Sequence, residues 1–341
     1  MSDGVTVLRD LNCNHYNRLM LLAGDVGGTK TLLGLFQRAP ARPAPVAMRA
    51  YPTNQFTSFT EILHAFEKDV RPPPSIDAVV VGVAGPVVHQ RAALTNIAWD
   101  ISATELTAWC GAERAMLLND LEAMANSVQV LTPDELLILQ EGVPNPEGNA
   151  VVIAAGTGLG EAYLHRVNGR LRAVPSEGGH ADFAARTDRE IALLVMLRGI
   201  YGRVDVERIL CGPGLLNIYR FTHADGPCAA VADAPPGDEP AAISQAALNR
   251  ECARCVETLD LFVSAYGSEA GNLGMRGVAT AGVYVGGGIA PKILPSLERG
   301  DFMNAFRAKP PMEEMLARMP VRVILNDEAG LLGAAVYANE M

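Results

Sequence analysis

Three short stretches of this chain have residue types and spacing suited to chemistry. Gly24-Asp25-Val26-Gly27-Gly28-Thr29-Lys30-Thr31 and Gly156-Thr157-Gly158-Leu159-Gly160 are glycine loops, and Leu118-Asn119-Asp120 lies between them in sequence. Each loop follows an apolar run (19–23 and 150–155) and leads into another strand-like run. Each therefore reads as a strand, a tight glycine turn and a returning strand, with no helix after the loop. Glycine allows positive φ and close approach, so such a turn can crowd backbone N–H groups around phosphate oxygens. Two better-known phosphate motifs fail on spacing. A Walker A loop needs Gly-Lys-Thr, but Thr29 separates Gly28 from Lys30. The dinucleotide fingerprint needs a glycine where Glu161 stands, and 162–165 continues as strand. The pair of similar hairpins implies an internal repeat, two related halves facing one cleft.

The elements that would position these residues belong to an α/β chain. Its 341 residues, 49% apolar and 19% charged, predict about two domains with a large core. A net charge of −10 argues against a nucleic-acid partner and requires small anions to be attracted locally. No stretch reaches ~18 apolar residues uninterrupted, so no membrane span is expected. Residues 1–20 are polar, lack a signal-peptide core and read as a disordered extension. Cysteines at 13, 110, 211, 228, 252 and 255 have no framework spacing, which points to a reducing cytoplasm. Cys252 and Cys255 form a C-x-x-C. The segment 247–262 looks helical, no second Cys or His pair lies nearby, and zinc needs four ligands, so no metal is expected there. Stretches 39–45 and 71–75 are proline-rich connections, and 78–83 reads as a buried strand. The proline-rich stretch 227–240 reads as a mobile surface excursion. A long helical region is expected over 243–275, a strand over 280–285, and a helix over 331–339.

At this point the chain resembles the bacterial glucokinases of the hexokinase group, within the actin, Hsp70 and sugar-kinase superfamily. The resemblance runs from Leu21 to the C-terminus. It rests on Gly24 to Thr29, Thr95-Asn96 with Trp99, Asn119-Asp120, Gly156 to Gly160, Glu177-Gly178-Gly179-His180, Glu207-Arg208 before Gly212-Pro213-Gly214, and Gly286 to Ile289. It implies a two-domain actin-like ATPase (ribonuclease H-like) fold with an interdomain cleft that closes on glucose and excludes water. The small domain would comprise 21–130 plus about 322–341, and the large one 131–321. It also implies ATP and Mg²⁺ as cofactors and a homodimer. A related family of repressors and kinases carries a cysteine-rich zinc segment after its glycine-histidine motif, and this chain has none there. The glucokinases in view often have Asn where this chain has Lys30, which leaves sugar preference open.

The residue roles follow from that resemblance. Asp120 would be the base toward the attacking hydroxyl, since an aspartate can take a proton lost late in phosphoryl transfer. The alternative for Asp120 is an N-cap on the helix 121–128. Asn119, Glu177, His180 and Glu207 would bind sugar hydroxyls, carboxylates suiting neighbouring pairs of donors. Glu207 would lie in a helix, where it could equally be an exposed acid. Gly24, Asp25, Val26, Gly27, Gly28, Thr29, Gly156, Thr157, Gly158, Gly287 and Gly288 would hold the nucleotide. Asp25 would engage Mg²⁺ through water, or close an Asx-turn. The expected activity is ATP-dependent phosphorylation of glucose to glucose 6-phosphate. Alternatives are a kinase of mannose or fructose, an inactive sugar-sensing regulator, or a superfamily ATPase of the chaperone or filament kind.

Overall fold

The computed structural model describes residues 20–70, 75–94, 97 and 99–341. The extension expected before residue 20, most of the connection at 71–75, and Thr95-Asn96 lie outside the described residues. The chain divides into two units, one reaching Thr132 and resuming at Glu328–Met341, the other spanning Pro133–Asp327. The second crossing falls at 327/328 rather than about 322, because Val321–Ile324 is a strand paired within the second unit.

In the first unit, strands β1 (Met20–Val26), β2 (Lys30–Gln37), β3 (Ala44–Pro52), β4 (Ile76–Val83) and β7 (Arg114–Asn119) form one sheet in the order β3-β2-β1-β4-β7. A separate ribbon pairs β5 (Arg91–Ala93) with β6 (Asp100–Ser102). β1 to β3 are antiparallel, while β1, β4 and β7 run parallel. Alternation along β1 explains why both faces are covered: successive side chains point to opposite sides of a sheet. Met20 and Leu22 join a cluster with Phe59, Ile62 and Phe66 of α1 (Phe59–Asp69) and Leu106 of α2 (Ala103–Cys110). Leu21 and Ala23 join another with Ala123 of α3 (Asp120–Ser127) and Leu331, Ala334 and Ala338 of the C-terminal helix Ala329–Glu340.

The second unit repeats the plan. Strands β8 (Leu136–Gln140), β9 (Ala150–Ala155), β10 (Leu159–Val167), β11 (Arg170–Ser176), β12 (Gly282–Gly286) and β13 (Val321–Ile324) lie in the order β11-β10-β9-β12-β13-β8. Five of these strands match the first sheet position for position: an antiparallel hairpin pair, then parallel neighbours of its first strand. The repeat seen in the glycine loops is thus a repeat of sheet topology. The helices are α4 (Asp188–Tyr201), α5 (Gly212–Thr222), α6 (Ala229–Ala232), α7 (Glu239–Leu248), α8 (Ala253–Gly277), α9 (Leu294–Leu297), α10 (Asp301–Arg307), α11 (Glu313–Arg318) and, returning to the first unit, α12 (Ala329–Glu340).

Two local expectations change. The long helix over 243–275 is two helices, because Arg250 adopts φ 57°, a left-handed conformation that ends α7. The excursion at 227–240 lies largely at the surface as expected, but it carries the short helix Ala229–Ala232 and packs Val231 into the core of the second unit, with Cys228 beside it.

Small residues let α3 and α12 approach closely. A Cβ on Gly82 would lie 2.8 Å from that of Ala123, and one on Gly333 would overlap the Ala123 carbonyl oxygen. Helix propensity alone predicts that Gly333→Ala stabilises the protein by about 1 kcal/mol. Overpacking predicts the opposite sign, about 1–3 kcal/mol of destabilisation, and steric overlap with backbone should win. Urea unfolding of the variant checks this; an unfolding midpoint at or above wild type would contradict the close packing of α12 on α3.

Candidate active site

The first unit places two carboxylates together. β1 ends in the first glycine turn with Asp25 half-buried near its end, and β7 ends at Asn119, with Asp120 as the first residue of α3. β4, pairing both strands, brings those ends side by side: Gly82 partners Asp25 on one edge and Leu118 on the other. Burial is the largest effect on Asp25 and Asp120 the next, together pushing its pKa up to about 6, against a smaller opposing effect of Lys30. Lys30 is exposed and its charge acts on Asp25.

The cap expected of Asp120 is held by Asn119. Asn119 is the N-cap of α3, its Oδ1 accepting from Leu121 N at 3.0 Å while its Nδ2 donates to Gly85 O at 3.2 Å. Asp120 Oδ1 also accepts from Leu121 N, at 2.8 Å, but from the first helical position. Sequence reading missed Gly330, on the first turn of α12, where a Cβ would come within 2.5 Å of Asp25 Oδ2. Its only sequence signal is a small residue opening an alanine-rich helix.

The second unit gathers the other predicted residues. Gly156 N donates to Gly158 O at 2.8 Å, closing the second hairpin turn, and a Cβ on Gly156 would meet nothing within 4 Å. Thr157 is exposed in that turn. Gly287, at φ 84°, lies close against the Ala155 backbone, and Gly288 borders open space. Buried Tyr266 joins the strand ends, accepting from Ala155 N at 3.2 Å and donating to Gly286 O at 3.2 Å.

Glu177 and His180 flank an exposed turn, with Glu177 Oε2 4.0 Å from His180 Nε2. Asp205, which sequence reading missed, stands 3.4 Å from His180 Nδ1 and can orient the ring. Glu207 lies in a turn before α5 rather than in a helix: its N donates to Gly179 O at 2.9 Å, which holds it against the turn containing Glu177 and His180. Glu207 Oε2 accepts from Leu159 N at 2.8 Å, and a Cβ on Gly158 would fall 2.6 Å from that oxygen. A side chain at Gly158 would therefore disturb Glu207 as well as the hairpin.

Glu161 is the other acid missed. It is fully buried, and its oxygens have no hydrogen-bond partner among the described residues. Burial first, then the charge of Glu269, pushes its pKa up to about 7, with Arg276 opposing. It is adjacent to Gly178, whose missing Cβ makes room for the carboxylate. A charged residue at an inward position of a strand is the signal that could have found it.

Duplicated sheets, glycine hairpins at parallel strand ends and an acid on a strand-to-helix junction are the features expected of a sugar kinase on the actin-like ATPase fold. The Glucokinase family model matches residues 22–341. The glucokinase of Synechocystis sp. is 36% identical over 344 residues, covering 93% of this chain and 97% of that protein. A glucokinase crystal structure from an Antarctic psychrotroph superposes with a TM-score of 0.84 at 29% identity, covering 94% of this chain and 99% of that one. A ROK family glucokinase from Streptomyces griseus, in complex with glucose and AMPPNP, shares the fold at a TM-score of 0.62 and 18% identity, covering 94% and 100%. The chain belongs to the glucokinase family.

Glu161 makes a pH prediction. Its pKa in the folded chain, about 7, lies above the ordinary 4.5, so between these values the folded state binds the extra proton. Its contribution to stability is full below 4.5, declines as pH rises toward 7 and is level above, a change of about 3 kcal/mol. Denaturant unfolding from pH 4.5 to 8 should show Glu161→Gln gaining on wild type as pH rises. A stability difference between the two that is independent of pH would remove Glu161 as a buried titrating acid.

Proposed function

We propose that the chain transfers the γ-phosphoryl group of ATP to the 6-hydroxyl of glucose, with Asp120 taking the hydroxyl proton. The observation supporting this most directly is the position of Asp120, the first residue after the N-cap at the end of β7, close enough to Asp25 to raise its proton affinity. Ligands of α/β sheets bind beyond the C-terminal ends of parallel strands. The proton leaves late, as the O–P bond forms, so a weak base suffices if it is correctly placed.

In this reading, Glu177, His180 and Glu207 accept from or donate to sugar hydroxyls, with Asn119 offering its remaining amide hydrogen. The backbone N–H groups of Gly24 to Thr29 and Gly156 to Gly158 surround phosphate, with hydroxyls from Thr29 and Thr157. The open space at Gly156 supports this, as does that at Gly288 for adenosine lying against backbone beside Gly287. Asp25 fits Mg²⁺, because a cation beside this buried acid would relieve the cost of ionising it next to Asp120. When bound, the ion would neutralise phosphate charge, and Asp25 would hold it through water. A homodimer belongs to the same proposal by family resemblance, and sedimentation velocity measures it.

Asp120→Asn keeps the size and capping ability of the side chain and removes its basic oxygen. Turnover should fall by ~10²–10⁴ while glucose affinity changes far less. Steady-state kinetics with glucose titration decide it, and a kcat within about threefold of wild type, far short of general-base effects, would rule out the base assignment.

Asp25→Asn should raise the Mg²⁺ concentration for half-maximal rate by about tenfold or more, as loss of outer-shell partners does, with little change in KM for glucose. An unchanged Mg²⁺ dependence would detach Asp25 from the ion.

A further inference from the structure

The C-x-x-C of Cys252 and Cys255 does not stand alone. Folding brings His223 and Cys228 to it, and the four ligand atoms lie within 4.8 Å of one another. We propose that His223, Cys228, Cys252 and Cys255 bind a structural zinc ion in the second unit.

Three of the six ligand–ligand distances are close to the edges of a tetrahedral zinc site. His223 Nε2 is 3.5 Å from Cys252 Sγ and 3.9 Å from Cys255 Sγ, and Cys228 Sγ is 3.6 Å from Cys255 Sγ. Zinc bonds of about 2.3 Å to sulfur and 2.0–2.1 Å to nitrogen in a tetrahedron give ligand–ligand edges of about 3.5–3.8 Å. A disulfide would instead need its sulfurs at about 2.05 Å, and would leave His223 and one cysteine of the cluster unused.

Several neighbours favour the ligand states that zinc requires. His223 is buried, and its Nδ1 lies 3.1 Å from the carbonyl oxygen of Tyr219, which can only accept. The Thr222 hydroxyl, which can donate or accept, lies nearer to Nδ1 at 2.9 Å; with the proton on Nδ1, donated to the carbonyl, the Nε2 lone pair faces the sulfurs, the arrangement that orients metal-bound histidines. The Tyr219 ring stacks on that of His223, with centroids 3.8 Å apart. The Tyr219 hydroxyl accepts from Cys228 N at 2.9 Å and donates toward Cys228 Sγ at 3.6 Å, which favours a thiolate. Cys252 is the N-cap of the 25-residue helix α8 and Cys255 lies in its first turn, where the helix dipole favours negative sulfur.

Four protein ligands make a closed site, structural rather than catalytic. The ion would tie the end of α5, the start of α6 and the start of α8 together, and so fasten the proline-rich segment 227–240. This inference does not depend on the kinase reading.

Wild type expressed with added zinc and purified under reducing conditions should carry about one zinc per chain by elemental analysis. Chelation should lower its Tm and Zn²⁺ restore it. His223→Ala and Cys228→Ser should each lose about tenfold or more of zinc affinity. Co²⁺ should give the visible absorption of a tetrahedral thiolate complex in wild type and not in the Cys228→Ser/Cys252→Ser double variant. Reduced wild type that takes up less than about a tenth of an equivalent after exposure to Zn²⁺ overturns the proposal. So does equal uptake by the double variant, or a Cys228–Cys255 disulfide in the native protein. If the variants fail to fold, zinc content and the Co²⁺ spectrum of wild type still decide.

Discussion

Two like charges placed side by side are the constraint around which the first unit is built. Burial and the neighbouring Asp120 raise the cost of ionising Asp25 in a chain that already carries −10. Holding them there requires rigid support from several elements. β4 aligns the ends of β1 and β7, and glycines at 82 and 333 allow α3 and α12 to pack without intervening side chains. Gly330 leaves room for the Asp25 carboxylate itself. Lys30 opposes this only weakly, and the cation proposed at Asp25 would supply the missing opposing charge.

The second unit uses the same sheet order for a different purpose. Its strand ends carry open glycine turns joined by the hydroxyl of Tyr266, while the turn at 177–180 is tied to the second hairpin through Glu207. Glu207 thus links the residues proposed to bind sugar with those proposed to bind phosphate through hydrogen bonds to Gly179 and Leu159. Glu161, buried behind the same turn, adds an acid whose protonated form is favoured there. The His223 and cysteine cluster belongs to the helical part of this unit and has no counterpart among the described residues of the first.

Much of the local architecture was legible in the sequence. Apolar runs flanking glycine clusters identify hairpins because φ freedom and strand alternation are properties of short segments. The internal repeat, the rejection of the helix-linked phosphate motifs and the position of Asp120 after a strand follow from the same local signals. Helix ends were less legible: the break at Arg250 depends on a left-handed conformation that residue type does not announce.

What only the tertiary structure decided are the relations between residues far apart in sequence. Gly330 against Asp25, Asp205 beside His180, and His223 with Cys228 around the C-x-x-C have no periodicity or spacing rule to reveal them. The C-x-x-C by itself supplies two ligands where zinc needs four, so sequence alone argued against a metal, and folding brings His223 at the end of α5 and Cys228 at the start of α6 beside it. Sequence determined which backbone segments could turn around phosphate, because that is set residue by residue. Proton affinities and ligand sets depended on packing, because burial and through-space charge act over distances that chain order does not encode.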